Sequence, residues 1–127
     1  MHHPISYNEI VTTAAKALFG LGLPPGVDIE SAKNIAWLEA NRLDGVSILA
    51  DEIATIDRLG KWSIPEIENA DEQLIITSSN PSSLVLAQMS LDFAEIGKTV
   101  TIKMCSAPLI IFAEAAKRAT TSKGFKL

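Results

Sequence analysis

Two stretches of the chain hold side chains whose types and placement could do chemistry. In the first, Ser78, Ser79, Asn80, Ser82 and Ser83 follow a short apolar run, and Pro81 among them marks a helix start. Hydroxyls and backbone N–H groups gathered at the positive end of a helix suit a carboxylate or phosphate, which makes these residues a candidate small-anion site. No glycine-rich fingerprint or P-loop lysine accompanies them, and the plainer account is a capped loop whose serines satisfy the backbone. The second stretch is Cys105, Ser106, Ala107 and Pro108. A thiol at a helix N-terminus can become reactive, so Cys105 is a candidate nucleophile and Ser106 a candidate ligand group. His2 and His3 both lie at the N-terminus. A base for Cys105 would therefore be a carboxylate, a lysine or a group from another chain. Cysteine is also among the most buried residue types, and a small core side chain at a strand end is the simpler use.

Other clusters promise less. Neither histidine belongs to a ligand set with the cysteine, so no metal site and no cofactor are expected. Asp44, Asp51, Glu52 and Asp57 read as the polar side of one helix, and Glu30 and Glu39 belong to the helix before it. They are expected to face solvent, with no carboxylate pair in a dry cleft to act as acid and base. Trp37 and Trp62 suit packing between a helical layer and a connector.

The elements that must position these residues follow from periodicity. Ser6 with Glu9 forms a capping box, flanked by Ile5 and Ile10 as a hydrophobic staple, and Ile10, Ala14, Ala17, Leu18 and Leu21 continue an apolar face. Asp28 can cap a second helix carrying Ala32, Ile35, Ala36 and Leu38. Asp44 can cap a third, with Val46, Leu49, Ala50, Ile53, Ile56 and Leu59 on one side and Gly60 closing it. Lys61 to Asp71 reads as a connector pressed onto the body. Leu74 to Thr77 is a short buried strand, and a helix capped by Asn80 runs to Gly97 with Val85, Met89, Phe93 and Ile96 along it. Its start, Ser83 to Met89, is equally a short apolar run. The cap, the stripe and the final glycine favour helix over strand. Thr99 to Met104 is the next strand, Pro108 to about Thr120 the next helix, and Gly124 to Leu127 a last short strand.

The sum is an α/β fold, an N-terminal three-helix layer over residues 1–60 followed by a small β-α-β-α-β parallel or mixed sheet over 72–127. At 127 residues the chain is expected to form one domain. Hydrophobic residues make up 47%, which favours a homo-oligomer or a protein partner covering apolar surface. Fifteen acidic against eleven basic side chains, without a basic cluster, argue against nucleic acid. One cysteine excludes an internal disulfide framework. MHHPISYNE does not read as a signal peptide, and the uncharged stretch Gln73 to Leu91 is too polar in its first half for a membrane span, so a cytoplasmic protein is expected.

Three pieces carry a resemblance. ISYNEIVTTAAKALFGLGLP, SAKNIAWLEANRLDGVSIL with its Trp-Leu-Glu-Ala step, and APLIIFAEAAKRA together resemble an uncharacterised bacterial family known as a domain of unknown function. The resemblance implies no activity. The expected function is therefore that of a non-catalytic accessory or small-anion-binding module acting as an oligomer or with a partner. The alternative is a thiol-dependent enzyme using Cys105.

Overall fold

A computed structural model describes residues 6–23, 26–59, 66–70, 73–77, 83–103 and 105–121. Three helices come first: α1 (Tyr7–Phe19), α2 (Val27–Ala40) and α3 (Gly45–Leu59). They are followed by β1 (Glu66–Ala70), β2 (Gln73–Thr77), α4 (Ser83–Glu95), β3 (Thr99–Lys103) and α5 (Pro108–Thr121). The fold is thus α/β, with the helical layer ahead of the sheet.

Local chemistry explains most of the boundaries. Ser6 caps α1, its hydroxyl accepting from the Glu9 N–H at 3.1 Å. The start of α2 differs from expectation. The residue ahead of its first turn is Gly26 with φ 89°, a left-handed backbone that favours glycine, and Asp28 lies inside the first turn. At α3, Asp44 has φ 55° rather than the extended backbone of an ordinary capping residue. Glu39 of α2 reaches across instead, its Oε1 accepting from the Val46 N–H at 3.0 Å. The joint is tight because Gly45 sits against α2. A Cβ there would collide with the Ile35 carbonyl oxygen and come within 2.9 Å of Leu38 Cβ. Gly97, with φ 91°, ends α4 as expected, and the Lys98 N–H returns to the Phe93 carbonyl.

The sheet order is β1-β2-β3. β2 and β3 are parallel, with Leu74 opposite Val100 and Ile76 opposite Ile102, so β2-α4-β3 is a crossover unit. The stretch expected as a bare connector contains β1, which pairs antiparallel with β2 from Glu66 opposite Thr77 to Ala70 opposite Gln73. Glu66, Ile67, Glu68 and Asn69 of its sequence EIENA are all exposed, and its glutamates suit an edge strand. The stretch 81–96, which could be read as helix or strand, is helical over Ser83–Glu95, and residues 81 and 82 lie outside the described residues. The staple residue Ile5, Gly60, Trp62 and the strand expected at Gly124 to Leu127 lie outside the described residues.

One buried cluster joins all five helices through Leu18, Ile35, Leu38, Ile56, Leu84 and Ile110. A second joins Leu74 and Ile76 of β2 to Leu86 of α4. Each fully buried Leu or Ile contributes about 1.5–3 kcal/mol, so these clusters fix α3, α4 and α5 relative to the sheet. Trp37 packs on Phe112, ring centroids 5.8 Å apart, adding an α2–α5 contact.

Candidate functional site

Parallel pairing places the carboxyl ends of β2 and β3 on the same side of the sheet, where each strand hands over to a helix. The described parts of the two junctions meet there. Ser83, first residue of α4, lies with its Oγ 2.9 Å from Ser106 Oγ and 3.4 Å from Cys105 Sγ. The Ala107 N–H, at the start of α5, donates to Ser83 Oγ at 3.0 Å. Ser83, Cys105 and Ser106 are therefore one cluster. Ser78, Ser79, Asn80 and Ser82 lie outside the described residues.

A fourth member comes from the helical layer. Glu52 of α3 is only 4% exposed, and its Oε1 accepts from the Ser106 hydroxyl at 2.8 Å. Its Oε2 is buried and has no hydrogen-bond partner among the described residues. Burial pushes the Glu52 carboxyl above the usual glutamate range, the neighbouring Asp51 charge adds to this, and the Ser106 hydrogen bond opposes it. The expectation of a wholly solvated acidic face on α3 fails at this residue. The sequence did carry a signal: Leu49, Glu52 and Ile56 stand at i, i+3 and i+7, and all three are buried.

Hydrogen-bond directions limit the chemistry. Ser106 commits its proton to Glu52, so between Ser83 and Ser106 it is Ser83 that donates. Ser83 then has only its lone pairs to offer the thiol, and Cys105 becomes a donor to Ser83. The thiol is thus linked to the carboxylate through two hydroxyls rather than paired with a base directly. Beside this cluster a cleft of about 240 Å³ opens between α3 and the start of α5. Its apolar walls are Ile48, Ala107, Pro108 and Leu109, and its polar groups are Asp51, Glu52 and Ser106. Among the described residues no set of three or more His, Cys, Asp or Glu side chains is arranged to hold a metal ion. No described helix is long and apolar enough to cross a membrane.

A family model matches residues 5–85. The chain belongs to that family, described as Protein of unknown function (DUF3726). The DUF3726 match runs from α1 to the start of α4, so it takes in Glu52 and Ser83 and stops short of Cys105 and Ser106. No curated protein and no solved structure matches the chain.

Proposed function

We propose that this DUF3726 chain is a non-catalytic accessory module that holds a small molecule in the cleft between α3 and the start of α5. The observation that carries the reading is Glu52, a carboxyl that is almost wholly buried in the cleft wall with one oxygen lacking a donor among the described residues. Such an orphaned acceptor costs about 1–3 kcal/mol, and a donor arriving with a ligand removes that cost. The described serines of the two junctions, Ser83 and Ser106, already spend their hydroxyl protons inside the cluster, which shifts the reading from an anion held by serines to a ligand held by the cleft. Work beside a second copy or a protein partner belongs to the same reading. It is supported by the exposure of Val46, Leu109 and Phe112.

The competing reading is a thiol-dependent enzyme, favoured by the hydrogen-bonded path from Cys105 through Ser83 and Ser106 to Glu52. Amide NMR spectra of the protein titrated with a small-fragment library test the first reading. Shifts concentrated at Ile48, Glu52, Ser106 and Leu109 are expected; a library that moves none of them overturns it. Iodoacetamide labelling that is fast in the wild type and much slower in Glu52→Gln would favour the thiol reading instead.

A further inference from the structure

We infer that the cleft between α3 and α5 takes a small organic ammonium ion with an apolar body. The inference rests on the cleft being a binding site and adds the class of ligand. Two carboxyl side chains, Asp51 and Glu52, line it, and none of its described lining residues is basic. Glu52 lies in the wall at 4% exposure, its Oε2 is without a hydrogen-bond partner among the described residues, and an ammonium group carries up to three donors to offer the carboxyl. Asp51 is exposed beside it and adds a second negative charge.

The start of α5 also faces the cleft, and a helix N-terminus favours anions. Magnitudes decide against that outcome. The helix end amounts to roughly +0.5 of a charge, whereas each ionised carboxylate contributes a full negative one. An ammonium ion also favours the ionised form of Glu52 when it docks, and an anion disfavours it. A hydrogen bond between two charged groups is roughly twice as strong as a neutral one, which separates an amine from an alcohol of the same shape.

Ile48, Ala107, Pro108 and Leu109 supply an apolar wall for the rest of the ligand. An apolar cavity of about 150 Å³ accommodates benzene, so about 240 Å³ admits an alkyl chain of four to six carbons with its ammonium head.

The test titrates the whole protein with n-butylammonium chloride, 1-butanol and sodium butyrate at matched ionic strength, following the amide resonances of Ile48, Glu52, Ser106 and Leu109. Butylammonium is expected to bind at least tenfold more tightly than butanol and to be displaced by no amount of butyrate. Glu52→Gln is expected to lower its affinity at least tenfold, and Asp51→Asn, at an exposed position, by a few-fold. Butanol or butyrate binding as well as the amine would overturn the cation class while leaving the cleft as a site. If no probe moves those resonances, the site itself falls and the ligand class with it. Unchanged butylammonium affinity in both variants would equally sink the role given to the two carboxylates.

Discussion

Glu52 and Glu114 are both 4% exposed, and the protein treats them in opposite ways. Glu114 of α5 receives Asn34 Nδ2 on Oε1 at 3.0 Å and Arg118 Nε on Oε2 at 2.8 Å, with Lys117 Nζ 3.6 Å from Oε1. Arg118 in turn reaches Asp92 at 2.8 Å and Glu95 at 3.6 Å, tying α5 to α4. Glu52 has Ser106 on one oxygen and no partner on the other among the described residues. Equal burial with unequal satisfaction separates a carboxylate that holds helices together from one left with an unpartnered oxygen, among the described residues, beside a cleft.

The largest effect expected from this contrast is at Glu114. Glu114→Ala removes the acceptor shared by Asn34 and Arg118 and should cost about 3 kcal/mol in urea unfolding, because losing a buried carboxylate strips one bond from each group that it held between α2 and α5. A loss under about 1 kcal/mol would end the comparison, since both carboxylates would then be dispensable to the fold. Ser106→Ala comes next, at about 1–2 kcal/mol, because it takes away the only described donor to Glu52. Glu52→Leu should lie within about 1 kcal/mol of wild type in either direction, since replacing an under-satisfied buried polar group by an apolar one of similar size is close to neutral. A penalty as large as that of Glu114→Ala would show that Glu52 is structural after all.

The smallest effect is in pH dependence, and it has a sign. The folded Glu52 carboxyl is raised by burial, with Asp51 adding to the shift and Ser106 opposing it. Its contribution to stability is therefore complete below the ordinary value of 4.5 and is lost as pH rises through the folded value. Stability of the wild type relative to Glu52→Gln should decline as pH climbs above about 4.5, as thermal unfolding at a series of pH values can read. Glu30 behaves oppositely. Burial raises its carboxyl, but the hydrogen bond and charge of Lys117, helped by Lys33, outweigh burial and hold it below the usual range. Its contribution is present above 4.5 and lost as pH falls, so Glu30→Gln should flatten the acid limb of the same curve. A wild-type profile identical to that of Glu52→Gln would leave the burial of Glu52 without thermodynamic consequence.

By itself the sequence determined the elements whose causes are local. The Ser6 cap, the Gly97 stop, the strand through Val100 and Ile102, and the face of α1 that carries Ala14 and Leu18 each depend on neighbours a few residues away, and the structure follows them, whereas the stripe expected along α4 ends at an exposed Ile96 and α5 buries Ile110, Ala113 and Ala115 in place of Leu109 and Phe112. It also pointed to the two strand-to-helix junctions as the place where side chains could gather, because parallel pairing of β2 and β3 places both hand-overs on one side. Tertiary structure decided the rest. β1 is a strand because β2 offers it a ladder, and EIENA on its own is too short and polar to announce one, with Glu66 to Asn69 all exposed. Gly26 rather than Asp28 opens α2 because the turn there needs a left-handed residue, which composition alone does not locate. Glu52 and Ser106 are separated by 54 positions and stand 2.8 Å apart only when α3 packs beside the start of α5. Periodicity can place a glutamate on a buried stripe, as Leu49 and Ile56 do here. Whether its oxygens find donors depends on which helix packs opposite, and that contact is made by the whole core at once.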